Sequence, residues 1–289
     1  MAGTVTFADG GFWDTSRRTH ILGILNVTPD SFSDGGLFFD EGRAAAHAMR
    51  LAAEGADAVD IGGESSRPGA GPVTPQEERR RVLPVLKRVR RELPAMRLSV
   101  DTTRAALARE ALAEGADLVN DVSALSEDPA MAPAVAATRA ACILMHRRGT
   151  PRTMQDDPRY DDVMGEICAE LGQAMRRARE AGVREDGIVL DPGIGFGKTL
   201  PQNIEIFRRL GELVGLGAPV LVGASRKSFI ATLSRVPPER MEERFEGSLG
   251  AAAAAILAGA TLLRVHDVAG TVRMARVVDA ISRGGPACS

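Results

Sequence analysis

The sequence predicts an α/β fold, a single (β/α)8 TIM barrel with a short N-terminal extension, on two observations. Eight short apolar runs, near residues 21–26, 58–62, 98–101, 118–121, 142–146, 188–191, 220–223 and 262–266, have the length and continuity of strands buried on both faces of a parallel sheet. Segments with helical periodicity separate them. The resulting alternation, eight times in about 260 residues, suits a closed barrel better than an open doubly wound sheet, which usually has fewer strands and a glycine fingerprint after its first one.

Residues 1–20 are set apart as the extension, with a small hairpin expected inside residues 4–20, and the barrel is placed at residues 21–283. Thr74 and Glu77 stand as a capping box around Pro75, ahead of Val82, Val85, Leu86, Val89 and Leu93 at the i, i+3, i+4, i+7 spacing of a buried helix face. Val163, Ile167, Leu171 and Met175 form the stripe of a second, longer helix. Gly55, Gly115 and Gly182 sit where helices ending in left-handed caps would stop. The Ala-rich stretch at residues 249–263 is interrupted by Gly and shorter than the ~18 apolar residues of a membrane span, so it reads as a helix running into the last strand. No Pro/Ser-rich linker or step in composition divides the chain, which predicts one domain.

The 289 residues carry 36 basic and 38 acidic side chains, a formal charge of −2, with 44% hydrophobic and 26% charged content. That balance excludes disordered, fibrous and polybasic classes and a broad nucleic-acid footprint, while leaving room for a small anionic ligand. Cys142, Cys168 and Cys288 are few, odd in number and far apart, which supports neither a disulfide framework nor a zinc cluster and points to a reducing compartment. Residues 1–11 lack a basic start followed by an apolar run, so a cytoplasmic protein without a membrane partner is expected.

Each strand reads as apolar until its C-terminal end, where a polar residue appears: Asn26, Glu64 just beyond Gly62-Gly63, Asp101, Asn120 with Asp121, His146, Asp191, Ser225-Arg226-Lys227, then Arg264 and His266. One such residue is an ordinary helix cap or loop starter, but a barrel brings all eight strand ends to one mouth. The loops after the last two strands, where barrels commonly hold phosphate, contain Ser225, Arg226, Lys227, Ser228, Arg264 and His266 and read as an anion site ahead of a helix. Arg226 reads there as a solvated or structural side chain, and Lys227 and Arg264 as the functional candidates. Asp101, Asn120 and Asp191 offer two carboxylates and an amide to a flat heterocycle with adjacent N–H donors, because an ionised carboxylate accepts two such bonds at once. The other use open to each is to brace the barrel through backbone N–H groups. Asn26 is open to three uses: metal ligand, phosphate contact or turn residue. The segment from Pro192 to Thr199 resembles a phosphate-binding P-loop, yet Pro192 takes the place of its first glycine, so nucleotide binding is not predicted. His20 and His47 lie away from the strand ends and read as packing or surface residues.

Longer motifs add to this. Ile24-Leu25-Asn26-Val27-Thr28-Pro29-Asp30-Ser31-Phe32-Ser33-Asp34-Gly35-Gly36 resembles the first signature of the dihydropteroate synthase family, and Asp60-Ile61-Gly62-Gly63-Glu64-Ser65-Ser66-Arg67-Pro68-Gly69 its second. Ser99-Val100-Asp101-Thr102, Asn120-Asp121, Leu144-Met145-His146, the run from Asp191 to Lys198, the run from Val222 to Ser228 and Arg264-Val265-His266-Asp267-Val268 follow in family order. The resemblance implies a homodimeric, cytoplasmic, pterin-binding barrel that joins 6-hydroxymethyl-7,8-dihydropterin diphosphate to p-aminobenzoate in folate biosynthesis. It implies that Asp101, Asn120, Asp191 and Lys227 hold the pterin with Arg264 stacked on its ring. Asn26, Arg264 and His266 would bind the diphosphate, and Asn26 would help bind Mg2+. Phe32, Ser33, Asp34, Ser66, Arg67, Pro68, Phe196, Lys227 and Ser228 would surround the p-aminobenzoate. Lys227, Arg264, His266 and Asp34 are then the candidates for catalysis, with Asp34, water or diphosphate open as the acceptor of the amine proton. Ser66 replaces a common Thr but keeps the hydroxyl, Thr103-Arg104 replaces a common Ser-Lys, and Arg147-Arg148 is more basic than usual and read as solvated. The rivals are a pterin-binding methyltransferase-type barrel, a Schiff-base aldolase using Lys227 or Lys198, and a non-catalytic pterin-binding protein.

Overall fold

The computed structural model describes residues 3–28, 41–65, 71–150, 152–237 and 239–284. It opens with an antiparallel hairpin of β1 (Thr4–Thr6) and β2 (Phe12–Asp14), Thr4 facing Asp14. Val5, Phe7 and Trp13 are apolar on one face of that hairpin and bury it against Leu22, Ala58, Leu118, Ala141 and Leu262. The hairpin thereby stoppers the end of the barrel where the strands begin.

The barrel strands alternate with helices. β3 (His20–Asn26), β4 (Ala58–Gly62), β5 (Arg97–Asp101), β6 (Leu118–Asp121), β7 (Ala141–Met145), β8 (Ile188–Asp191), β9 (Leu221–Val222) and β10 (Leu262–Val265) are laid side by side in chain order. Neighbouring barrel strands pair in parallel, β10 returning to β3 with Leu262 opposite His20. Between β8 and β9 the ring closes through a single parallel bridge, Leu190 to Val220, with Leu190 N donating to Pro219 O at 2.9 Å.

Around the ring lie α1 (Glu41–Ala53), α2 (Pro75–Glu92), α3 (Ala105–Ala113), α4 (Met131–Thr138), α5 (Val163–Glu180), α6 (Leu200–Val214), α7 (Ser228–Ser234), α8 (Phe245–Leu257) and α9 (Val268–Arg283). The apolar stripes do what their spacing predicts: Val82, Val85, Leu86 and Val89 of α2 and Val163, Ile167, Leu171 and Met175 of α5 are buried against the strands. Gly55, Gly115 and Gly182 take φ of +99°, +98° and +91°, left-handed conformations that end α1, α3 and α5 at little cost only for glycine. Thr74 accepts a bond from Glu77 N at 3.2 Å, but the Glu77 carboxylate turns to Arg80 and Arg81 instead of completing the box. A full capping box forms at α6, between Thr199 and Gln202. The Ala-rich stretch is α8 and the loop into β10, and no helix among the described residues is long and apolar enough to cross a membrane.

Candidate active site

Because all strands run the same way, their C-terminal residues converge, and a cavity of about 490 Å³ opens there. Asn26, Asn120, Asp191, Lys227, Arg264 and His266 line it, with Val122, Met145 and Phe196 supplying apolar wall and Ser228 its edge.

The floor is built on a residue that the pattern of strand ends misses. Asp60 lies inside the apolar run of β4 and is fully buried, so the expectation that each strand is apolar up to its end fails there. Its Oδ2 accepts from Arg264 Nε at 2.5 Å and from Asn120 Nδ2 at 3.0 Å, and Arg264 Nη2 also donates to Asp101 Oδ2 at 2.7 Å. A charge in the middle of a strand buried on both faces is the signal that would have found it. Asp101 stands behind Arg264 and is not among the described residues lining the cavity. Asp60 Oδ1, Asn120 Oδ1 and Ser99 Oγ are buried with no hydrogen-bond partner among the described residues. Such unmet acceptors mark a place for a polar ligand.

Burial pushes the Asp101 carboxyl above the usual carboxylate range; Arg264 opposes that push and Asp60 adds to it. Burial likewise lifts Asp191 to about 6, against a 2.7 Å bond from Gly193 N and the charges of Lys227 and Arg264. For Arg264 burial works against the charge, but Asp60 and Asp101 more than offset it. Asp121 takes the bracing role: it accepts from Ser123 N, Ser123 Oγ and Leu125 N and shapes its own turn.

On the basic side, Ser225 Oγ accepts from His266 N at 3.2 Å and lies 3.1 Å from His266 Nδ1. Lys227 Nζ rests 3.8 Å above the centre of the Phe196 ring. Arg226, at φ +59°, turns its guanidinium to Asp267, the structural use expected of it.

Phe32, Ser33, Asp34, Ser66, Arg67 and Pro68 lie outside the described residues. Arg147 and Arg148 correct the expectation of solvated side chains. Arg147 is nearly buried and pairs with Glu127, while Arg148 stacks on Tyr160 at 4.2 Å and pairs with Glu166 and Glu170. Glu127, ahead of α4, draws in Arg147, and the acidic face of α5 draws in Arg148, tertiary features that the pair Arg147-Arg148 does not announce. Glu64 is drawn 3.0 Å from Arg104. Lys198 is buried, donates to Gly193 O and Phe196 O, and does not line the cavity, which removes it as a Schiff-base lysine. His146, expected at the mouth, is buried against Lys198. His20 is buried under Trp13, its ring stacked at 4.9 Å. Cys142 and Cys168 are free thiols, and Cys288 is outside the described residues.

A closed barrel with a carboxylate, two amides and cations around its mouth cavity defines a class, and comparison with known proteins gives its name: the family described as pterin binding enzyme matches residues 22–266, and the chain belongs to that family. Within it the relatives are dihydropteroate synthases, transferases of folate biosynthesis. The one from Synechocystis is 45% identical over 271 residues, covering 94% of this chain and 93% of the relative. The one from Escherichia coli K12 is 44% identical, with 95% of each covered. The crystal structure of the Xanthomonas albilineans dihydropteroate synthase with 4-aminobenzoic acid superposes with a TM-score of 0.89 at 43% identity, covering 97% of this chain and 98% of that one.

Proposed function

We propose that the mouth performs the condensation of 6-hydroxymethyl-7,8-dihydropterin diphosphate with p-aminobenzoate through three zones of contact, giving 7,8-dihydropteroate and diphosphate. The pterin lies on the floor, where Asp191 accepts from adjacent ring N–H donors and Asn120 Oδ1 meets a further one. Lys227 donates to the ring's acceptor edge, and Arg264, its plane fixed by Asp60 and Asp101, lies along the ring face, so that Asp101 acts through Arg264. The observation that carries this reading is the partnerless buried acceptor Asn120 Oδ1 on a residue that lines the same cavity as Asp191.

The diphosphate takes Asn26, Arg264 and His266. Ser225 Oγ holds His266 Nδ1 at 3.1 Å and orients the ring, and a proton on Nε2 would be a donor suited to a phosphate oxygen. No protein nucleophile is needed: the electron-rich dihydropterin shares positive charge at its departing methylene while Arg264 and His266 stabilise charge on the leaving diphosphate. The aryl amine then attacks from the side of Phe196 and Ser228.

Asn26 offers a neutral amide oxygen on the cavity wall, and no cluster of three or more His, Cys, Asp or Glu among the described residues would hold a metal unaided. That donor set fits Mg2+ carried mainly by diphosphate oxygens and water, with Asn26 as the protein's contribution. When bound, Mg2+ would supply charge neutralisation at the leaving group.

Assay of product formation with both substrates, before and after chelation and again with Mg2+ restored, tests these roles together. Undiminished turnover in chelator would remove the metal, and retained pterin affinity without Asn120 or Asp191 would remove the floor. A homodimer on the helical outside is part of the same reading, supported by exposed Leu257, Val277 and Ile281 on α8 and α9. Sedimentation equilibrium that finds only a 30.5 kDa species at micromolar concentration would defeat it. The two free thiols support a reducing, cytoplasmic setting.

A further inference from the structure

We propose that Lys198 is a positioning residue for the second substrate: its side chain staples the loop of residues 192–197 to the end of β7 and so holds Phe196 in place against Lys227. The inference rests on the reading that Phe196 walls the p-aminobenzoate pocket.

Lys198 is 3% exposed and away from the cavity wall, so it acts without touching substrate. Its Nζ lies 3.0 Å from Gly193 O and 3.0 Å from Phe196 O, both in the loop. It also lies 3.0 Å from His146 Nδ1 and 3.4 Å from His146 O, both just beyond β7. The three carbonyl oxygens can only accept, which suits an ammonium that only donates. A lysine this deep that forms no ion pair among the described residues is costly, and burial drags it down to about 7, with Asp191 and Glu170 working the other way. Something other than packing therefore retains it.

The loop needs the staple because it is neither helix nor strand. Gly193, Gly195 and Gly197 take φ of +67°, +78° and +65°. The loop also passes so near the β7 exit that a Cβ on Gly193 would lie 2.0 Å from His146 O and one on Gly197 2.6 Å from Arg148 O. The His146 ring stands between the two, its Nδ1 3.0 Å from Lys198 Nζ and its Nε2 3.1 Å from Glu170 Oε2. Glu170 on α5 thus begins a line of close contacts that runs through His146 to Lys198 and ends at the carbonyl of Phe196.

Steady-state constants for Phe196→Ala, Lys198→Met, Glu170→Ala and the double variant Phe196→Ala/Lys198→Met test this. Lys198→Met should raise the KM for p-aminobenzoate about tenfold and leave that for the dihydropterin diphosphate within about twofold, since a misplaced wall affects only the ligand it faces. Glu170→Ala should move the same constant in the same direction by about threefold, and the double variant should be little worse than Phe196→Ala alone. Glu170 is half-exposed, so its variant keeps the test open if Lys198→Met does not fold. A normal KM for p-aminobenzoate in Phe196→Ala would bring down the pocket reading and the inference with it. A raised KM there, together with normal or equally shifted constants in the Lys198 and Glu170 variants, would overturn the staple alone.

Discussion

Asp57, where β4 begins, and Asp191, where β8 ends, are both aspartates withdrawn from water near arginine, and the protein treats them in opposite ways. Burial raises both. At Asp57 the rise is overcome by His20, by Arg18 Nη1 at 2.9 Å and by Ile21 N at 2.8 Å, and the carboxyl is held down at about 2. Asp117, just ahead of β6, accepts from Arg90 at 2.7 Å, Arg97 at 2.6 Å and Leu98 N at 2.9 Å. At the mouth, Asp60 and Asp101 share the one cation Arg264, buried acceptors go unmet, and Asp191 stays near 6. Charges satisfied at one end hold strand to strand; charges under-satisfied at the other are set for a ligand that brings the missing donors.

The largest effect that separates the ends should come from Lys227→Ala. Removing one cation from the reacting end should cut kcat/KM roughly 100- to 1000-fold, about 3–4 kcal/mol of transition-state stabilisation. The thermal midpoint should shift by no more than about 2 °C, because the side chain contributes little packing. Near-normal turnover would take Lys227 out of the chemistry, and a collapsed fold would erase the distinction between the ends. Arg264 is a different case: its loss would strand Asp60 and Asp101 as uncompensated buried charges, so Arg264→Ala should lose stability as well as turnover.

Next comes Asp191→Asn. An amide cannot accept from both adjacent donors of the pterin, and losing one charge-assisted bond there should weaken binding by roughly 1.5–3 kcal/mol. The stability sign is opposite to the usual one for a carboxylate. A folded-state value raised from 3.8 to about 6 means that the folded protein holds this proton more tightly, so stability falls as pH rises from about 4 through 6. The amide removes that cost, and at pH 7 the variant should melt no lower than the parent. Calorimetric titration with a pterin and a melt at pH 7 check both halves. Affinity within twofold of the parent would end the assignment, and a fall in midpoint of several degrees would class Asp191 with Asp57.

How each end reads in sequence follows from the same physics. Asn26, Asn120, Asp191, Arg264 and His266 were legible because a polar residue closing an apolar run is visible locally, and the barrel topology brings these strand ends to one cavity, with Asp101 just behind Arg264. Asp60 was hidden inside a run that otherwise reads as core, and only its tie to Arg264, 204 positions away, shows its use. Lys198 is singled out in the sequence only as a Schiff-base lysine of a rival aldolase, since nothing local distinguishes a buried lysine from an exposed one. The bottom end had a local mark that went unread: Gly55-Ala56-Asp57 and Gly115-Ala116-Asp117 are the same step. In each, a left-handed glycine ends a helix and the aspartate two residues on accepts the N–H of the preceding strand.

At that bottom end, Asp57→Asn should cost stability without touching turnover per folded molecule. A value lowered from 3.8 to about 2 corresponds to about 2 kcal/mol, present above the unfolded-state value and lost as pH falls from about 4 toward 2. Denaturant melts of parent and variant should therefore differ by about that amount at pH 7 and converge as the solution is acidified below pH 4. A constant difference at all pH values would mean that the ionised carboxylate is not what Arg18 and Ile21 hold.

The smallest effect sharpens the comparison most, because it concerns a residue at the mouth that belongs by its contacts with the other end. Arg226 lines the cavity between Ser225 and Lys227, yet its guanidinium donates twice to Asp267, at 3.0 and 2.6 Å, just ahead of α9. Its backbone is fastened as well: Arg226 N donates to Ser248 Oγ at 3.1 Å, and Arg226 O accepts from Arg244 Nη1 at 2.8 Å. These bonds seat the φ +59° turn that presents Lys227 to the cavity, and the backbone ones survive truncation of the side chain. A partly exposed ion pair contributes little, so Arg226→Ala should lose no more than about 0.5–1 kcal/mol of stability. Turnover should stay within about twofold of the parent, since no transition-state contact is removed. Steady-state rates beside a denaturant melt give both numbers. A loss of turnover approaching that of Lys227→Ala, with stability intact, would show that Arg226 leaves Asp267 when substrate arrives, and position at the mouth would then outweigh pairing as the guide to which charges do chemistry.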